Sequence, residues 1–152
     1  MQDYIRLRGS LRLVLGDLDG KILEERLVEN TVVTVGRAWM LGQMQSVNHV
    51  TGQNISHMAI GSGTVAPTTG DSALGNEVTR QAVDSFSTTG LTANPPSWRA
   101  QATFATNIGN TTLAEAALFN SSAAGTLIGR ATFASFVKAT SNTFAISYTI
   151  SG

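Results

Sequence analysis

The sequence predicts a mainly β domain: an antiparallel β-sandwich or jelly-roll-like barrel with one short helix near residues 35–45. Three observations carry this. Apolar and polar residues alternate strictly at both ends of the chain, the signature of strands with one buried face. Gly, Pro and Asn recur between short apolar segments at the spacing of strand connections. Only one stretch has the spacing of an amphipathic helix.

The first strand is the clearest. Ile5, Leu7, Leu11, Leu13 and Leu15 take odd positions, and Arg6, Arg8, Ser10 and Arg12 take even ones, so the two sets face opposite ways. Gly16-Asp17-Leu18-Asp19-Gly20 is turn chemistry, and a second strand over about Lys21 to Val28 completes a hairpin. Thr34 can cap a helix from Val35 to Gln45, with Val35, Ala38, Trp39 and Leu41 as its apolar stripe. Asp71 is a candidate cap for a shorter helical turn at Ser72–Gly75. Strands follow at Ile55–Ile60, at Val78–Phe86 and on the alternating Trp98, Ala100, Ala102 and Phe104. Others are expected at Leu113–Phe119, Thr126–Phe133 and Thr143–Ile150, the last with Phe144, Ile146, Tyr148 and Ile150 on one face. Trp39 and Trp98 read as core residues.

A length of 152 residues suits one domain. Residues 1–29 form a charged hairpin subregion of it, because no linker separates them from the rest. Lysine plus arginine equals aspartate plus glutamate, which argues against a general nucleic-acid binder. No apolar run approaches the roughly 18 residues of a membrane span. The chain opens with charges where a secretory leader needs an apolar stretch, so it is expected to be made in the cytoplasm and used without export by that route. With no cysteine, it can form neither disulfides nor thiolate metal sites. Charged residues are 13% of the chain, against about 25% in typical domains. So sparsely charged a surface suits one packed against other subunits.

The candidate chemistry is thin. Gly61-Ser62-Gly63 follows a strand, but a phosphate-binding loop needs a Gly-Lys-Ser/Thr ending, and Thr64-Val65-Ala66-Pro67 follows instead. Asp17 and Asp19 evoke a calcium loop, but Gly20 falls at the fourth position where such a loop needs glycine at the sixth. His49 and His57 are the only histidines, too few for a zinc site that takes three or four protein ligands. No nucleophile elbow is present, and no two of Asp71, Glu77, Asp84 and Glu115 stand out as a glycosidase pair. Neither catalytic residues nor a cofactor or metal is therefore expected. Arg6, Arg8 and Arg12 share one strand face and can contact a partner, or be neutralised across the hairpin by Glu24, Glu25 and Glu29. Asn120–Gly125 reads as a hairpin connection. If Asn120 pairs with Gly125, Leu118 faces Leu127 and Glu115 faces Arg130, which predicts a structural salt bridge in a segment with almost no other charge.

A resemblance rests on the order of several short motifs. Ile55-Ser56-His57-Met58-Ala59-Ile60-Gly61-Ser62-Gly63-Thr64 is followed by Ala66-Pro67, Asp71, Ala73-Leu74-Gly75-Asn76-Glu77 and Arg80. Glu115-Ala116-Ala117-Leu118-Phe119-Asn120, Gly125-Thr126-Leu127 and Arg130-Ala131-Thr132-Phe133 come next, and Thr143 to Ile150 closes the series. This order resembles a family of small structural proteins of tailed bacteriophages and, distantly, the N-terminal part of phage tail-collar fibre proteins. Asn30 to Leu41 matches the opening helix of the pattern, and the likeness covers about residues 30–150. It implies a virion β-domain with no catalytic residues to carry over. The expectation is a capsid decoration or cement protein on the outer shell, self-associated, as a trimer, and bound to the major capsid protein. The alternative is a tail, baseplate or fibre-attachment adaptor that contacts tail proteins. A sugar-binding module or small hydrolase is the third class.

Overall fold

The computed structural model describes residues 7–45 and 54–152. Nine strands and one α-helix lie among them. β1 is Arg8–Gly16, β2 Ile22–Val32, α1 Thr34–Gln45, β3 His57–Gly61, β4 Glu77–Ala82 and β5 Ser85–Ser87. β6 is Ser97–Phe104, β7 Thr112–Phe119, β8 Leu127–Val137 and β9 Thr143–Ser151. The architecture is mainly β and antiparallel, as the alternation predicts. All nine strands join one curled sheet, a half-barrel, in the order β4-β3-β7-β8-β2-β1-β9-β6-β5.

The concave face holds the core. Leu11, Leu13 and Leu15 of β1 meet Phe144, Ile146, Tyr148 and Ile150 of β9 and Ala100, Ala102 and Phe104 of β6. The odd residues of β1 and the even residues of β9 and β6 are thus buried as the period-two pattern requires. Leu7 packs on this core, whereas Ile5 and Arg6 lie outside the described residues. β7 is buried on both faces. Leu113, Ala116 and Leu118 face the main core, while Ala117 and Phe119 form a second cluster with Val33, Ala59, Leu74 and Leu127 on the convex side.

Several elements differ from the sequence expectation, each for a physical reason. The strand expected over Val78–Phe86 breaks at Val83-Asp84. The Val83 amide donates to Ser56 and the Asp84 amide to the Gln101 carbonyl, so the chain passes from one edge of the sheet (β4) to the other (β5). Gln81 Nε2 donates to the Thr103 carbonyl across the same gap. β2 extends to Val32, beyond the expected Val28. In α1, the Val33 carbonyl accepts the first helical bond, from Arg37. Thr34 lies inside the helix and its amide is held by the Thr69 carbonyl. The helix face also differs, since Val35, Ala38 and Leu41 are exposed. Gly36 faces the sheet, where a Cβ would stand 2.3 Å from the Ile128 carbonyl oxygen. Of the expected stripe Trp39 alone packs on the core, with Met40 beside it, because the backbone approach at Gly36 sets the face.

No helix forms at Ser72–Gly75. The Asp71 carboxylate accepts from the Thr68 amide behind it, and the amides of Gly75 and Asn76 bond to Glu115. They are therefore not available to earlier carbonyls in a helical turn.

Candidate functional site

Among the described residues, charge is buried together on the convex surface of β7 and β8, beneath the loop from Ser62 to Asn76. Glu115 is 0% exposed and Arg130 3%. Strand pairing puts them on one face: Glu115 lies opposite Gly61 on β3 and Thr132 on β8, and Arg130 lies opposite Ala117. The two are therefore diagonal neighbours, not directly opposed. The expected register is off by two. A bulge at Leu118/Phe119 shifts the pairing, and the hairpin closes on Asn120 and Thr126, whose amide donates to Asn120 Oδ1 at 2.7 Å. Ala124 and Gly125 both take left-handed backbone in that loop. A slip of two residues leaves every side chain on its original face, where a slip of one would reverse it. The predicted contact thus survives the error: Arg130 Nε lies 2.9 Å and Nη2 2.8 Å from Glu115 Oε2.

The remaining bonds make this pair a clamp. Glu115 Oε1 accepts from the Gly63 amide at 2.9 Å and the Asn76 amide at 2.7 Å, and Oε2 accepts from the Gly75 amide at 2.9 Å. Arg130 Nη1 donates to Asp71 Oδ2 at 2.7 Å and Nη2 to the Val65 carbonyl at 3.0 Å. Each end of the loop is thereby tied to the sheet. Gly61 and Gly63 are required by the close approach, since a Cβ on Gly61 would meet the Asn76 carbonyl oxygen at 2.5 Å and one on Gly63 would meet Glu115 Oε1 at 2.4 Å.

Burial pushes the Glu115 carboxyl up, but the amides of Asn76 and Gly75, the Arg130 guanidinium and the Gly63 amide outweigh it and hold the group below the usual range. For Asp71 burial also acts upward, and the bond from Thr68 and the Arg130 contact bring it below its ordinary value. Burial lowers Arg130, but its bonds to Asp71 and Glu115 raise it. Glu115 is a saturated, fully charged acceptor. A general base needs a free lone pair and a pKa drawn toward neutrality, and Glu115 has neither.

The same geometry disposes of the phosphate-loop reading, because the anion cradled by the Gly63 amide is Glu115 itself. A second node lies beside the clamp. Arg80 donates to Glu77 at 2.7 and 2.9 Å and to the carbonyls of Ser121 and Ala124, and its guanidinium sits 3.5 Å above the Phe119 ring. It fastens the 120–125 hairpin to β4.

His57 Nδ1 is 2.8 Å from Ser56 Oγ. Burial and then the Arg80 guanidinium hold its imidazole below the ordinary value. A catalytic histidine is oriented by a carboxylate, whereas the charge acting on this one is cationic. His49 lies outside the described residues. Asp17 Oδ1 accepts from the amides of Asp19 and Lys21, the turn role expected of it. No group of three or more His, Asp or Glu capable of holding a metal lies among the described residues. Chelator is accordingly expected to leave the melting temperature unchanged in a thermal scan, and a fall of several degrees would contradict this.

Of the arginine row, Arg12 pairs with Glu25 at 2.7 Å across the hairpin, both about half exposed, so the pair contributes little to stability. Arg8 is exposed and lines shallow surface pockets with Ser10, Glu29 and Ser151. Trp39 and Trp98 are half-buried against the core and share an open cleft with Ile55 and Phe86. Asp71 and the loop amides were not foreseeable as clamp partners, because they lie far from Glu115 in sequence. Lys138 was missed as well. It is 1% exposed and donates to the Ala105 carbonyl and Asn110 Oδ1, both at 2.8 Å, and burial lowers its pKa.

Comparison with family models, with characterised proteins and with solved structures finds no match to this chain.

Proposed function

We propose that this chain is a structural component of a tailed-bacteriophage virion, foremost a capsid decoration protein that binds the outer shell as an oligomer. The observation that carries the reading is where the resembling motifs go. Gly61-Ser62-Gly63, Asp71, Gly75-Asn76, Glu115 and Arg130, which are separate in sequence, converge on one clamp that pins a loop to a sheet. Arg80 and Glu77, from the same motif series, tie down the neighbouring hairpin. These residues serve rigidity rather than turnover, which suits a part repeated in a particle. The low charge supports it too, since a surface this sparse in ions favours packing against neighbours.

Quantitative mass spectrometry of gradient-purified particles tests this. A copy number comparable to that of the major shell protein is expected. A number matching the lower symmetry of the tail would place the chain in the tail or baseplate, and absence from the particle would overturn the proposal.

A further inference from the structure

We infer that the open edge of β2 pairs with the same edge of a second copy of the chain, antiparallel about a two-fold axis through Glu25. The contact supplies the partner surface for the oligomer proposed above and rests on that reading.

β2 is laddered to β1 from Ile22 to Asn30, but to β8 only at Thr31 and Val32. At Arg26 the two strands are bridged by a side chain, which donates to the carbonyls of Ala134 and Ser135 and lies 4.0 Å from the Phe136 ring. The Val33 amide donates to Ile128 on β8. Alternation along the strand then turns the backbone groups of Thr31, Glu29, Leu27, Glu25 and Leu23 to that side. Beyond Thr31 these N–H and C=O groups have no ladder partner among the described residues. Such a row is a template for another strand.

The side chains match a second copy. Leu27 is 77% exposed and Leu23 50%, and both lie on the outer face, two residues either side of Glu25. Pairing about Glu25 sets Leu23 opposite Leu27 of the second copy, Ile22 opposite Val28, Lys21 opposite Glu29, and Glu24 opposite an Arg26 that already pairs with Glu24 of its own chain, each twice by symmetry. The one like-charge contact is Glu25 with its own copy, and Arg12, 2.7 Å away in each chain, offsets it. Moving the axis to Leu27 would instead oppose Glu25 to Glu29 twice, which is unfavourable. A two-fold contact builds dimers, alone or within a larger assembly, whereas the resemblance implies a trimer.

The absence of native cysteine makes the test clean. Directly opposed residues have Cβ atoms about 4.5–5.5 Å apart, close enough for cross-linking. Purified full-length Glu25→Cys should give covalent dimers under mild oxidation. Leu27→Cys should not cross-link to itself, but should do so when mixed with Leu23→Cys. Leu27→Lys should shift the light-scattering mass to the monomer without lowering the melting temperature. Failure of Glu25→Cys to cross-link, or equally ready self-linkage of Leu27→Cys, would overturn the inference. Particles that carry the chain while Glu25→Cys stays unlinked would sink this contact alone. A linked dimer of a chain absent from particles would sink the virion reading alone.

Discussion

Glu115→Ala is expected to be the most damaging single change on the convex face, costing about 3–5 kcal/mol, because removing one member of a buried ion pair strands the other. The loss exceeds that of Arg130→Ala for a structural reason. Glu115 also satisfies the amides of Gly63, Gly75 and Asn76, and orphaned buried amides carry their own penalty. After Arg130→Ala, by contrast, Glu115 keeps those three amides, and besides Glu115 only Asp71 and the Val65 carbonyl lose a partner. The double variant should therefore be far less destabilised than the sum of the singles. Denaturant melts of the four proteins in a double-mutant cycle measure this. Strictly additive effects would mean that the clamp is not an energetic unit. The clamp also sets an acid limit. Glu115 and Asp71 are both held below their ordinary values, so their contribution is complete above the unfolded carboxylate range near pH 4 and is lost as pH falls through the lower folded values. The wild type should lose more stability than Glu115→Gln between about pH 5 and pH 3, the interval that brackets the ordinary carboxylate values.

Leu13→Ala should cost about 2–5 kcal/mol. Leu13 is 0% exposed and sits in the middle of β1, between Arg26 on β2 and Ile146 on β9. Its loss opens a void among residues held from two sides, where the sheet cannot collapse to fill it. Leu27→Ala on the next strand is the control: at 77% exposure it should shift monomer stability by less than about 0.5 kcal/mol. Urea unfolding of both variants decides between a structural strand and a loosely attached arm. A near-neutral Leu13→Ala would mean that the N-terminal hairpin is not part of the core.

Much of the fold was legible because one-sided strands write their burial into a period of two. Leu11, Leu13 and Leu15, and Phe144, Ile146, Tyr148 and Ile150, are buried where that period places them. The helix is legible but its face only in part: Trp39 packs on the core as its spacing requires, while the contact through Gly36 and a backbone carbonyl is one no apolar count detects. The break at Val83-Asp84 was hidden because alternation continues across it, and only the pairing with Ser56 and Gln101 reveals two edges. Glu115 and Arg130 were found through a register two residues off, since charges on one face of neighbouring strands meet diagonally as well as directly. Asp71 and the loop amides were not found. A clamp closed by backbone groups leaves no side-chain signature, and Asp71 reads instead as a helix cap.

A rigid part of a virion shell, as proposed for this chain, should bind back to particles that lack it. Particles made without the chain would be incubated with purified protein and imaged by electron cryomicroscopy. Density of this β-domain at symmetry-related positions over the outer shell is the predicted result. Shells left bare, with the protein unbound or confined to the tail, would contradict it.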